Sequence, residues 1–230
     1  MRKSIKAASI IGAGLVFIFS AFAEEMKAIV LPPPRMEGGK PLLQALKERK
    51  TDREFGPESL PLPVLSTLLW AAGGVNRPET GKRTAPTAKD WREIDVYVAL
   101  AEGLYLYDPS SHQLKPVLPQ DIRGATGPQP FVASAPVNLV FVADYAKMAR
   151  GAKEDQDFYA ATDTGYISQN VYLFCASEGL ATVVRGALDR PALAKAMKLR
   201  PDQKIILAQT VGYPNKAEVR RQKAEVGSQK

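Results

Sequence analysis

Asp163 to Glu178 reads as one helix that is apolar almost all round and is closed by Gly179, where a helix commonly ends. A helix without a polar face has to lie at the centre of a domain, with the rest of the chain wrapped round it. Val137 to Ala143 and Lys204 to Val211 are nearly continuous apolar runs of strand length, suited to the middle of a sheet. Ile94 to Leu100 alternates and is followed by Gly103 to Asp108, which predicts a β-hairpin turning around Glu102-Gly103. Leu42, Leu43, Ala45 and Leu46 mark a first helix running toward Arg49. Pro63 opens a second through Leu65, Leu68, Leu69 and Trp70 to Gly73-Gly74, and Pro191 to Leu199 forms another before the last strand. Helices and mostly antiparallel strands are mixed rather than regularly alternating, which is an α+β pattern.

The ends of the chain read differently. Arg2, Lys3 and Lys6 precede an apolar stretch from Ala7 to Phe19 that ends in Ala21-Phe22-Ala23, the layout of a secretory signal peptide over residues 1–23, cleaved before Glu24. The stretch is short for a membrane span, so no stable membrane insertion is expected after cleavage and the mature chain is expected to be periplasmic or secreted; an uncleaved N-terminal anchor is the alternative. Residues 24–40 contain Pro32-Pro33-Pro34 and Gly38-Gly39 and predict an extended surface arm. Residues 41–215 form the single domain. Residues 216–230 form a tail with five basic residues against Glu218 and Glu225.

The formal net charge of +7 belongs largely to the signal and the tail, which leaves the domain close to neutral and argues against a nucleic-acid-binding surface. Chemistry from side chains is restricted too. Cys175 and His112 are single representatives of their types, so an intrachain disulfide and a Cys/His metal cluster are both excluded. Cys175 lies in an apolar run and reads as a small buried residue, and His112 follows Asp108-Pro109-Ser110-Ser111 and reads as part of a hairpin loop. No Walker loop or dinucleotide fingerprint occurs in the mature chain. An enzyme so poor in nucleophiles and imidazoles uses a carboxylate or lysine mechanism or borrows its chemistry from a cofactor.

Two polar segments stand out. Arg49, Thr51 and Arg53 offer two guanidinium forks and a hydroxyl, a plausible clamp for a phosphate monoester; basic residues at a helix end also suit the helix dipole on a solvated face. Gly74 to Arg92 is a long irregular connection rich in Pro, Thr and basic groups, and such a loop in a compact domain is usually functional or disordered.

Taken in order, these segments resemble the FMN-dependent nitroreductase family. Arg49-Lys50-Thr51-Asp52-Arg53-Glu54-Phe55 is similar to the family's opening motif, and Arg83-Thr84-Ala85-Pro86-Thr87-Ala88-Lys89-Asp90-Trp91 to its Pro-Ser flavin loop. Gly165-Tyr166-Ile167-Ser168-Gln169-Asn170 with Gly179-Leu180-Ala181-Thr182 looks like the long central helix and the turn after it, and Val211-Gly212-Tyr213-Pro214 like the closing strand. The resemblance covers about Leu42 to Pro214, and Gly103-Leu104-Tyr105-Leu106-Tyr107-Asp108 is similar to the SagB/ThcOx-like branch.

The resemblance implies a nitroreductase-like fold and an FMN-dependent oxidoreductase acting on a small-molecule substrate, as a homodimer with two flavins at its interface. It implies that Arg49, Lys50, Thr51 and Arg53 hold the phosphate, ribityl chain and pyrimidine edge, and that Thr87, Ala88 and Asp90 line the flavin. Gln169 is expected to reach it from the central helix, and Val184, Arg185 and Gly186 to pass their backbone near the ring. Arg221 corresponds to a basic residue that meets the phosphate. The chain departs from the family at Asp90, Trp91-Arg92 and Arg185. A carboxylate at Asp90 beside a reduced flavin needs a partner, for which Lys89, Arg92 and Arg185 are the candidates. The chain lacks the Lys-Tyr pair associated with azoline oxidases, which disfavours peptide heterocycle oxidation. A non-catalytic exported binding protein on the same scaffold is the alternative.

Overall fold

The computed structural model describes residues 26–215 and 217. In chain order the elements are β1 (Ile29–Val30), α1 (Leu42–Glu48), α2 (Leu62–Gly73), β2 (Val75–Arg77), β3 (Lys82–Arg83), β4 (Ile94–Leu100), β5 (Gly103–Asp108), β6 (Gln113–Leu118), β7 (Val137–Asp144), α3 (Lys153–Glu178), β8 (Ala181–Arg185), α4 (Arg190–Ala196) and β9 (Gln203–Gly212). Seven strands form one sheet in the order β1-β6-β5-β4-β7-β9-β8, and β2 and β3 form a separate short pair. Every pairing in the large sheet is antiparallel. This is an α+β nitroreductase-like fold, with the expected hairpin closing at Leu100 opposite Gly103.

The apolar runs are explained by two cores. In β7, Val137, Leu139, Phe141 and Ala143 face the core shared with α2 and α3, while Val140 and Val142 face a second core with Leu193 and Met197. Side chains alternate between the two faces of a strand, so a strand covered on both sides must be apolar at every position.

The central helix is longer than its apolar signature. It begins at Lys153, runs 26 residues or about 39 Å, and stops at Gly179, whose φ of 70° is the left-handed turn glycine adopts without penalty. Ala160, Thr164, Ile167, Val171 and Cys175 are buried, yet Phe158 and Tyr166 are exposed, so among the described residues only one side of α3 is covered.

The N-terminal arm is extended as expected, but it is stitched down. Residues Ile29 and Val30 pair with β6; the Arg35 N–H donates to Thr67 Oγ1 at 3.0 Å and the Lys40 N–H to Ser177 Oγ at 2.8 Å. His112 lies in the β5–β6 loop at φ 47° and bridges Ser66 Oγ at 2.8 Å and Tyr107 Oη at 2.9 Å. Strands β1 and β8 lie where the sequence reading has an arm and a turn, and β6 follows directly on the loop that ends at His112. The signal region and the basic tail, including Arg221, lie outside the described residues.

Candidate functional site

The segment after α1 is fixed at several points. The Asp52 N–H donates to Thr182 O at 3.0 Å, the Gly56 N–H to Tyr213 O at 2.8 Å, and the Asn215 N–H to Glu54 O at 3.0 Å. Phe55 forms a bridge with Pro214, and its ring lies 5.2 Å from that of Phe131. The segment is thereby pinned between β8 and the end of β9.

Tyr172 of α3 joins these parts. Its hydroxyl accepts the Val184 N–H at 3.0 Å and lies 3.0 Å from Thr51 Oγ1, while the Arg49 guanidinium sits 5.4 Å from its ring centroid. The structure therefore brings Arg49, Thr51 and Val184 together through one side chain. Arg53 is exposed, and Lys50 pairs with Asp52 at 3.4 Å. Among the described residues, neither the Arg49 nor the Arg53 guanidinium is engaged by a carboxylate. Sequence reasoning passed over Tyr172, although a tyrosine inside an apolar helical run has a hydroxyl that must find a partner when buried.

That hydroxyl gives a first expectation. Tyr172→Phe keeps the ring but leaves the Val184 N–H without its acceptor, which should cost about 1–3 kcal/mol. A urea melt should show a lower midpoint with an unchanged slope; an unchanged midpoint would show the link to be incidental.

The second group lies further along α3. The Ala88 N–H donates to Asp163 Oδ2 at 2.8 Å, Thr87 Oγ1 donates to Glu93 Oε2 at 3.2 Å, and the Arg92 N–H donates to Thr87 Oγ1 at 2.9 Å. Lys89 reaches Asp155 at 2.9 Å, and Trp91 packs edge-on against Tyr159 at 5.9 Å. Lys89, Asp90 and Arg92 have φ of 52°, 54° and 51°, a left-handed conformation that L residues adopt only when their surroundings hold it. Of the three candidate partners for Asp90, Arg92 is the one that pairs with it, through two bonds of 2.8 Å, and this holds the Asp90 carboxyl below the usual carboxylate range.

Arg185 corrects the sequence reading. It does not reach Asp90. Its guanidinium is buried, donating to the Thr126 carbonyl and, at 3.0 Å, to Asn138 Oδ1, and among the described residues no carboxylate pairs with it. Burial pulls it down to about 10. Strand alternation turns this side chain inward and sends the half-buried Val184 side chain to the opposite face.

Within one chain the two groups do not converge on a single point. Asp163 anchors the loop and Tyr172 anchors the clamp, nine positions apart, about 14 Å along the helix axis. Gln169 stands exposed on α3 between them in sequence.

Against this geometry the comparisons with known proteins are direct. The nitroreductase family profile matches residues 46–213. A Methanocaldococcus jannaschii protein assigned by name to the nitroreductases is 31% identical over 169 residues, covering 69% of this chain and 85% of that one. The crystal structure of a Ralstonia eutropha JMP134 protein, also assigned to the nitroreductases, has a TM-score of 0.79 at 46% identity, over 83% of this chain and 90% of that one. The NADPH:FMN oxidoreductase of Vibrio harveyi, solved with NAD+, has a TM-score of 0.59 at 17% identity, over 76% of this chain and 69% of that one; the likeness is one of fold. A family profile spanning most of the domain, together with a close structural relative over nearly its whole length, identifies this chain as a member of the nitroreductase family.

Proposed function

We propose that the chain is an FMN-dependent oxidoreductase that acts as an exported homodimer on a small organic substrate. The observation that carries this reading is the pair of guanidinium groups at Arg49 and Arg53, unneutralised among the described residues and flanking the Thr51 hydroxyl on a pinned segment. Two cationic forks and a hydroxyl fit a phosphate monoester such as the FMN headgroup. Arg49 and Arg53 would bind the phosphate; Lys50 and Thr51 would orient the ribityl chain and pyrimidine edge. Thr87, Ala88 and Asp90, with Gln169 and the backbone of Val184, Arg185 and Gly186, would shape the space for the ring. Bound FMN supplies hydride and electron transfer, which this chain's own side chains do not.

The dimer is supported by what α1 and α3 leave uncovered. Leu42, Leu43 and Leu46 on α1 and Phe158 and Tyr166 on α3 are exposed large apolar residues on two helices that pack together. A second copy would cover them, and would also offer each clamp a loop from the other chain, across the separation that one chain leaves open. Export rests on the layout of residues 1–23, and the SagB/ThcOx-like branch on Gly103 to Asp108.

One preparation tests the reading. Purified protein should show the absorbance of oxidised flavin, or gain it when FMN is added, and should scatter light as a dimer. Colourless protein that FMN does not reconstitute would favour the non-catalytic binding protein instead. A flavin-loaded monomer at micromolar concentration would end the dimer alone.

A further inference from the structure

Glu93 is the residue this fold has least structural reason to bury. It sits at the entrance to β4, fully buried, and its Oε1 has no hydrogen-bond partner. It lines a small cleft together with Thr87, Asp163, Arg83 and Arg92. Asp163, itself buried, comes to the same place from α3. Two carboxyl groups therefore meet beneath one loop, and each holds it: Asp163 takes the Ala88 N–H and Glu93 takes the Thr87 hydroxyl, whose oxygen in turn takes the Arg92 N–H.

We propose that Glu93 and Asp163 are positioning residues which together clamp the Thr87–Arg92 loop in its strained, left-handed conformation and so set how that loop meets a flavin. Holding the loop needs no ligand; the effect on flavin rests on the function proposed above. The three positive φ values supply the reason a clamp is needed, since Lys89, Asp90 and Arg92 would relax toward ordinary backbone once the Ala88 and Thr87 anchors were lost.

Glu93 serves the clamp best uncharged. Burial first, and then the Asp163 carboxylate beside it, push the Glu93 carboxyl up to about 7, with the Thr87 hydroxyl opposing. A neutral Glu93 adds no second negative charge beside Asp163, whose Oδ2 accepts the Ala88 N–H. The other charged or titratable groups around the pair are Arg83 from β3, Arg92 from the loop and Tyr145 from the turn after β7. The Glu93 carboxyl titrates above its ordinary value of 4.5, so the folded chain retains a proton that the unfolded chain has lost between these two values. Its contribution to the clamp is accordingly present at the acidic end and is lost as pH rises through about 7.

Trp91 is a reporter inside the loop, and Trp70 is the other of the two tryptophans in the chain. In a Trp70→Phe background without flavin, Trp91 emission should shift with a midpoint near pH 7, and the added substitution Glu93→Gln should flatten that titration, because the amide keeps the neutral shape. Glu93→Ala and Asp163→Ala should each move Trp91 emission at pH 6 and weaken FMN binding about tenfold or more, with Glu93→Gln staying within about twofold. A Trp91 signal that ignores pH in the parent background overturns the proposal without relying on any variant at the pair. FMN affinity in Glu93→Ala equal to that of the parent overturns it as well, and leaves the flavin reading intact. Trp91 responding as expected in a chain that takes up no FMN would overturn the flavin reading and leave the loop clamp standing.

Discussion

Replacing Arg49 and Arg53 together by Ala is expected to abolish FMN retention while the chain stays folded. Each guanidinium removed takes with it charge-assisted hydrogen bonds worth about 1.5–3 kcal/mol, so the pair is worth about 3–6 kcal/mol, or a loss of roughly a hundredfold to ten-thousandfold in affinity. The fold has little at stake. Arg53 is exposed, and Arg49 gives up only its stacking on Tyr172, an interaction of about 0.5–1 kcal/mol at a partly exposed site. Lys at both positions should fall between the parent and the double Ala variant, because an ammonium keeps the charge but not the two-pronged geometry. Fluorescence titration of added FMN, with far-UV circular dichroism to confirm the fold, measures both halves of this expectation. Full flavin occupancy in the double Ala variant would remove the clamp assignment.

The second large effect concerns the electron source. On the function proposed above, an exported protein would work where NADH and NADPH are not supplied as they are in the cytosol, and its flavin would be reduced by an organic substrate or by a redox partner. The loop beside the proposed site carries bulky groups that are held in place: Trp91 against Tyr159, and Arg92 locked by Asp90. Arg185, buried against Asn138, takes no part in this crowding; on the function proposed above, Trp91 and Arg92 would obstruct a nicotinamide ring. NADH and NADPH are expected to reduce the flavin-loaded protein at about 0.1 per second or slower, a hundredfold below a typical turnover of about 10 per second. Dithionite should still reduce it completely. Saturable reduction at turnover rates in anaerobic stopped-flow mixing would show that the site accepts nicotinamides and that location does not decide the donor.

Much of the fold was legible because burial on two faces leaves a strand no choice of residue. Val137 to Ala143 announces an interior strand for that reason, and Pro63 and Gly179 mark helix ends through their own backbone constraints. The first ten residues of α3 were not legible from apolarity, since Lys153 to Thr162 is mostly polar; Glu154 and Asp155 in the first turn, favourable to the helix dipole, were the available signal. Strand β8 escaped because Ala181 to Arg185 ends in a charged residue that the fold buries against neutral acceptors. The clamp motif was readable as a string, but its anchor was not. Thr51 meets Tyr172 across 121 positions, and Ala88 meets Asp163 across 75, pairings that no local pattern encodes.

Among the described residues strand β8 ends the sheet, with β9 as its single neighbour, and its outer rim presents backbone groups that would otherwise be open to an extended segment. Two of these groups are occupied by contacts that are not strand-like. Thr182 O is taken by the Asp52 N–H and the Val184 N–H by the Tyr172 hydroxyl. The contacts that set the proposed phosphate clamp thus also blunt a template for intermolecular strand addition. Substitutions that loosen the Arg49–Arg53 segment or remove the Tyr172 hydroxyl would therefore do more than weaken a ligand site. They would bare a sticky rim, so that lost solubility and lost flavin would arise from the same few bonds.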